Sequence, residues 1–465
     1  MNDICQDLKR LVKCQVANTL ETLTEVSQDF GGVIQKSPQV VVRPNSVNDV
    51  VQTVKYAART GIKVSSRGAG HSLSGQSLNQ DGIVLDLKSL NRIHEINTKE
   101  LWFKADAGVF WGEIVNACLP QGIIPPVLTN YFGVSIGGTH ASGGIGAASF
   151  ARGSQADNCL GVEVVTAEGE VVWCTPEKNS ELFHYVLCGY GQFGIITKIQ
   201  HRLIKYCPIT RTYLLFYDNL DALLHDKSIL VSEPRVDRIV SFPIPSVPGF
   251  SRSEGRLKPI VKWFYTLQMT VDKQHEREFD DRHILSGLNF YRQIHTEDLS
   301  FEKFVRPVVE VDSNRDLAHP WIDVFLPASA AQKYIDTVLK QLPSFLDVTK
   351  TQMGCFYLTN RLHKMPLFNL PAEELTVGFG IYPSIPKTQL QPVLSKLKEF
   401  SDMSLSIGGK RYLTGWVEFD ARQWQMQLGD RWWLLNQMKQ KYDPQGVFSP
   451  GFFQYKTEKK LVTNY

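Results

Sequence analysis

One histidine stands inside a run of glycines and serines, RGAGHSLSGQS, from Arg67 to Ser77. An imidazole there can act as a base, a ligand or a nucleophile, and the glycines let the backbone approach a bound group closely. The spacing of Gly68, Gly70 and Gly75 is not the GxGxxG of a dinucleotide fold, and no lysine follows to make a phosphate loop. Ser74 stands where a nucleophile elbow after Ser72 needs glycine. Alone, the run reads as a tight loop with a surface histidine. Two more glycine-rich segments follow, GVSIGGTHASGGIG (Gly133 to Gly146) and GYGQFGIIT (Gly189 to Thr197). Three such segments leave many amides open to phosphate oxygens and suit a dinucleotide held along its length better than a small substrate. His140, inside the second segment, either approaches the cofactor or satisfies a turn, and the turn is favoured.

These segments need elements to hold them. QVVVRP (Gln39 to Pro44) reads as a strand, Asn45 and Ser46 as a cap, Val47 to Arg59 as an amphipathic helix closed by Gly61, and IKVSSRG as the next strand. A strand, helix, strand unit of this kind delivers the His71 turn beside a phosphate. Strands are expected at Ile83 to Leu87 and Leu101 to Gly108, helices at Phe110 to Cys118 and around Ser180 to Leu187, and a hairpin over Gly161 to Cys174 turning at Ala167, Glu168 and Gly169. Beyond about Cys207 glycines thin out, and amphipathic segments alternate with KWFYTLQMTV and WIDVFLP, a second α+β unit. From about Leu413 a tail with one helix and the turn YDPQGVFSPGFF packs back on the first unit. The first forty residues begin with a helical segment and carry no motif.

With 465 residues, 43% apolar and 21% charged, the chain is an ordinary globular protein of two to four domains rather than a disordered one. A net charge of +3 gives no footprint for nucleic acid or a membrane surface, so the expected partner is a small molecule. No apolar run approaches the ~18 residues that span a bilayer. Asp3 and Asp7 interrupt any leader, the eight cysteines form no CxxC pair or metal constellation, and no NxS or NxT occurs. The expected compartment is the cytoplasm.

RGAGHSLSGQ, SIGGTHASGGIG, DNCLGVEVVTAEGEVV, GQFGIIT, HPWIDVFLP and KYDPQGVFSPG occur in an order that resembles the FAD-linked oxidoreductases of the vanillyl-alcohol oxidase (PCMH) type, nearest to the cytokinin dehydrogenases, from about Val40 to Phe453. The resemblance implies an α+β, two-domain fold. An FAD-binding domain (1–206, its PCMH core about 35–206), completed by a tail (413–465), carries an inserted substrate domain (207–412). It implies FAD bonded covalently through His71 at the flavin 8α position, with Ser66, Gly68, Gly70, Ser72, Gln76, Ser135, Ala141, Ile145 and Ile196 lining the cofactor and Tyr412 near the ring. No cysteine lies between Cys118 and Cys159, so one covalent link is expected. Trp321 is expected in the substrate slot, and His319, before Pro320, as a turn residue. Oxygen or a quinone is the implied electron acceptor.

Three departures accompany the resemblance. Cytokinin dehydrogenases carry a TDY tripeptide whose aspartate takes a proton from the substrate amine; here it reads Thr129, Asn130, Tyr131, and an amide cannot serve as that base. Two residues after Trp321 the family's asparagine is Asp323, on the same strand face. The expectation is that Asp323 accepts the proton and Asn130 orients the substrate. Phe452 replaces a glutamine in the family's SPGQ. The implied reaction is oxidation of the C–N bond to the N6 substituent of an N6-substituted adenine by hydride transfer to flavin N5. An alcohol or sugar oxidase on the same fold, or a flavin-binding protein without turnover, are the alternatives.

Overall fold

The β-branched run Val40–Arg43 forms a strand and is followed by helix Val47–Thr60, whose start is fixed by a reciprocal cap between Ser46 and Asp49 and whose end is turned by Gly61 at φ 75°. In this computed structural model, which describes residues 3–233, 235–253, 256–306, 314–448 and 453, the helix crosses over to strand Val64–Arg67. The two strands flank Ile83–Asp86, and all three run parallel. Gln15–Ala17 adds an antiparallel edge on Val40–Arg43. This small sheet ends at Arg67, where the His71 turn begins.

A second sheet is antiparallel throughout, in the order Ile93–Asn97, Trp102–Asp106, Ile195–Arg202, Cys159–Val165, Val171–Cys174. The expected hairpin pairs Val165 with Val171, and Gly169 at φ 76° turns it. Its strands and helix Trp111–Cys118 bury Phe103, Trp111, Val162, Val164 and Phe193 in one core.

The third sheet has eight antiparallel strands, ordered Arg292–Ser300, Ile209–Tyr217, Arg256–Lys273, Arg238–Ser253, Gln352–Thr359, Leu375–Tyr382, Ile322–Pro327, Lys410–Arg411. Helices Leu220–Ser232, Ala328–Gln341 and Leu390–Ser406 cover one face through Leu223, Leu230, Ile335, Val338, Val393 and Leu397. Lys227 is wholly buried at a thin seam of this sheet, where among the described residues Arg238–Ser253 pairs with Gln352–Thr359 through Ser241 and Cys355; its Nζ donates to the Ser241 hydroxyl and the Cys355 carbonyl, each at 2.7 Å.

The tail differs from expectation in one respect. It holds two helices, Ala421–Leu428 and Arg431–Tyr442, because Gly429 adopts φ 57° between them and Asp420 caps the first. Val447 and Phe448 return to the first sheet, where the Val64 amide donates to the Val447 carbonyl at 2.8 Å. Ser449, Pro450, Gly451 and Phe452, with the glutamine replacement, lie outside the described residues. Among the described residues no helix is long and apolar enough to cross a membrane.

Candidate active site

The Arg67–Ser77 turn is shaped from beneath. The Arg67 guanidinium donates to the Gln28 carbonyl (3.1 Å) and the Ser77 hydroxyl (3.3 Å), and a Cβ on Gly70, itself at φ 73°, would fall 2.3 Å from Arg67 Nη2. Buried Asp29 accepts from the Ser72 hydroxyl (2.9 Å) and the Gly75 amide (2.8 Å). The Phe30 amide donates to the Gly70 carbonyl (2.9 Å) and the Gly31 amide to the Ser72 carbonyl (3.0 Å). Gln76 accepts from the Ser74 amide and donates to the Leu413 carbonyl. The polar side-chain atoms of Ser72 and Gln76 are thus engaged with protein.

His71 projects from this turn with Nε2 buried and without a hydrogen-bond partner among the described residues. Burial, and to a lesser degree the neighbouring His319, pull its pKa down to about 4, so the imidazole is neutral at neutral pH.

The second segment meets the first at Gly68, where a Cβ would lie 2.0 Å from Ser135 Oγ; only glycine lets Ser135 pack there. Ser135 caps helix Ile136–Ser142. The Gly144 amide donates to Tyr412 Oη at 3.0 Å, and burial raises the Tyr412 phenol's pKa, so it stays protonated. The third segment and the residue before it bond to the second, the Cys188 amide donating to the His140 carbonyl and the Tyr190 amide to the Ala141 carbonyl. Cys188 (φ 57°) and Tyr190 (φ 52°) take left-handed conformations that cost of order 1–3 kcal/mol each, the local strain typical of ligand clamps. His140 neither lines the cavity between these segments nor stands in a loop turn. It is fully buried in its helix, with Nδ1 2.7 Å from the Ile136 carbonyl and Nε2 3.0 Å from His201 Nδ1. Burial lowers the pKa of both rings, to about 4 for His140.

Between these segments and the eight-stranded sheet lies a cavity of about 1050 Å³, larger than the ~300–1,000 Å³ that holds a drug-sized ligand. The fourteen residues that the sequence assigns to the cofactor and catalytic site all line it: Ser66, Gly68, Gly70, His71, Ser72, Gln76, Asn130, Ser135, Ala141, Ile145, Ile196, Trp321, Asp323 and Tyr412. Asn130 is exposed, at the rim. Trp321 is half-buried, with its indole N–H fixed on the Pro383 carbonyl at 3.0 Å. Tyr382, also lining the cavity, donates its hydroxyl to Asp323 Oδ1 at 2.6 Å. Burial raises the Asp323 pKa to about 6, against the lowering effects of that hydrogen bond and of Arg411. The phenol of Tyr382 is pushed well above its ordinary pKa by burial and by the carboxylate, so it remains the donor. Gly380, paired with Asp323 across the strands, leaves the lane in which Tyr382 lies: a Cβ there would sit 1.9 Å from Tyr382 Oη and 2.6 Å from Asp323 Oδ1.

The residues present fit FAD. The cavity runs along all three glycine-rich segments, and the unpartnered buried nitrogen of His71 stands on its wall. Sequence reasoning missed Asp29, Phe30 and Tyr382. GFGIY carried a signal for the last, since alternation on a strand puts Gly378, Gly380 and Tyr382 on one face. His319 makes the expected backbone turn, its carbonyl accepting from the Trp321 amide at 2.8 Å, and its ring stacks on Phe30 at 4.3 Å behind the cavity wall.

Two family models match the chain, one described as an FAD binding domain over residues 38–175 and one as the FAD- and cytokinin-binding region of cytokinin dehydrogenase 1 over residues 256–454. Among curated proteins, an uncharacterised oxidoreductase of the fasciation locus of Rhodococcoides fascians is 29% identical over 441 residues, covering 92% of this chain and 96% of that one. Cytokinin dehydrogenase 8 of Oryza sativa subsp. indica is 28% identical (93% of this chain, 91% of the relative), and cytokinin dehydrogenase 1 of Arabidopsis thaliana is 26% identical (95% and 83%). Among solved structures, 6-hydroxy-D-nicotine oxidase of Arthrobacter nicotinovorans superposes with a TM-score of 0.72 at 20% identity, over 96% of this chain and 98% of that one, a likeness of fold.

Proposed function

The chain belongs to the FAD-linked oxidoreductases that include the cytokinin dehydrogenases, and from that premise we propose that it oxidises the C–N bond to the N6 substituent of an N6-substituted adenine such as isopentenyladenine. Bound FAD, linked through His71, supplies the hydride acceptor at N5. The observation that carries the reading is the Asp323–Tyr382 pair in the cavity wall. Loss of hydride from the carbon next to nitrogen leaves positive charge on the N–H, which a carboxylate in reach removes. Asp323 is ionised above about pH 6, and its burial makes it a stronger base than a solvated aspartate. Tyr382 holds Oδ1, which leaves Oδ2 to take the amine proton. Trp321, its indole tied down, presents a flat wall to the purine, and Asn130 orients the amine from the rim. Val134, Val240 and Met353 offer apolar lining to a prenyl group. Water then hydrolyses the imine product to adenine and an aldehyde, and the electrons leave to oxygen or a quinone. The work is done in the cytoplasm.

Asn130, at the place of the family's carboxylate, favours a second reading in which an alcohol or sugar is the substrate and Asp323 takes a hydroxyl proton. Anaerobic addition of isopentenyladenine to the purified flavoprotein separates the readings. Bleaching of the visible flavin band is expected. A band that persists with the purine and bleaches with an alcohol or sugar overturns the preferred substrate, and one that no reductant substrate bleaches leaves a binding protein.

A further inference from the structure

The segment Asp29–Gly31 threads between the His71 turn and the substrate-side strands. Phe30 lies flat between two imidazoles, stacked on His71 with centroids 4.1 Å apart and planes 11° apart, and on His319 at 4.3 Å and 9°. Trp321 meets its edge at 4.9 Å. The segment is bonded to both sides, because the Phe30 and Gly31 amides donate to the Gly70 and Ser72 carbonyls and the His319 amide donates to the Gly31 carbonyl at 2.8 Å. No side chain would fit at Gly31, where a Cβ would come 2.7 Å from the Leu73 Cα. Asp29 is only 4% exposed, and of its two oxygens Oδ2 holds Ser72 and Gly75 while Oδ1 has no hydrogen-bond partner among the described residues.

We infer that Asp29 and Phe30 are positioning residues for His71, Asp29 by fixing the backbone on the C-terminal side of the histidine and Phe30 by fixing the plane of its ring and excluding water from it. The inference rests on the reading that His71 carries the flavin. An imidazole has two side-chain torsions to settle, and misplacement of a reacting group by about 1 Å can cost ~100-fold in rate. Forming the link joins a ring nitrogen to the 8α carbon and releases one proton from the imidazole and one from the flavin methyl group. The two electrons of the broken C–H bond pass to the flavin and from it to dioxygen, giving hydrogen peroxide. Only a neutral imidazole has the lone pair for that step. Among the described residues the titratable groups packed around His71 are His319 across the Phe30 ring, Tyr131 with its ring 5.3 Å away, and Asp29 and Arg67 beneath the turn. None of them is a carboxylate against the imidazole that would hold it protonated.

The test compares total with acid-stable flavin in the parent, Phe30→Ala, Phe30→Tyr and Asp29→Asn, with thermal unfolding as the check on folding. Phe30→Ala and Asp29→Asn are expected to form the acid-stable link ~10-fold or more slowly at the same flavin content, with Phe30→Tyr, which keeps the ring, near the parent. Link formation at the parent's rate in folded Phe30→Ala overturns the role of Phe30; the same result in folded Asp29→Asn overturns that of Asp29. Should either variant fail to fold, Phe30→Leu and Asp29→Glu are read in its place. If acid releases the flavin of the parent, the covalent reading is what fails, and positioning is then read from the NMR titration of His71. Phe30→Ala should move that titration up toward the ordinary value of about 6.5 as water reaches the ring. An unmoved midpoint overturns the inference.

Discussion

The resemblance to the cytokinin dehydrogenases implies that Asp323 and Asn130 hold that family's carboxylate and amide the other way round, and the proposed exchange makes a prediction that a merely structural carboxylate would not. Asp323→Asn should lower kcat/KM for isopentenyladenine by ~100-fold or more, while Asn130→Asp alone brings no gain; the double variant Asn130→Asp, Asp323→Asn should recover much of the loss, read by steady-state assay. Tyr382 tunes the same group. Its hydrogen bond lowers the Asp323 pKa, so Tyr382→Phe should move the acid limb of the kcat/KM profile to higher pH than the parent's, which lies near 6. A limb that stays in place would detach Tyr382 from the base. At this scale the proposed exchange follows from the resemblance in sequence, whereas Tyr382 left no such sign, because the pair joins positions 59 apart and depends on strand register.

The elements are legible where a close approach leaves its mark on residue type. The three glycine-rich segments could be read because packing between Gly68 and Ser135, or between Gly70 and Arg67, leaves no space for a Cβ. Gly68→Ala should therefore separate the first two segments and lose FAD binding with little change in melting temperature of the apoprotein, measured by flavin content and calorimetry. Asp29 and Phe30 are not legible in the sequence because one acid and one aromatic beside a glycine pair have no periodic signature; tertiary placement alone gives them a role. The sequence predicts one tail helix where the molecule has two, because the apolar residues continue across Gly429 and the break is a backbone conformation rather than a change in pattern.

For the molecule as a whole, two sheets hold the cofactor segments and a third closes the cavity over them, so the site depends on packing between segments far apart in sequence. Two of its buried carboxylates, Asp29 and Asp323, have pKa values raised to about 6 by burial. The folded state therefore keeps their protons when the unfolded polypeptide, titrating near 4, has lost them. Their stabilising contribution is full below about pH 4 and is lost as pH rises through 6, on the order of 3 kcal/mol per group. Asp323→Asn should consequently be more stable than the parent at pH 7.5 and lose that advantage near pH 4, as read from urea unfolding at the two pH values. The function proposed for the molecule turns on Asp323 acting as the base in C–N oxidation. Stopped-flow reduction of the flavin by isopentenyladenine, followed from pH 5 to pH 9 in the parent and in Asp323→Asn, measures that step directly. The parent rate should fall tenfold per pH unit below about 6, and the variant rate should be ~100-fold lower and flat with pH; a variant that reduces as fast as the parent with the same profile would contradict the assignment.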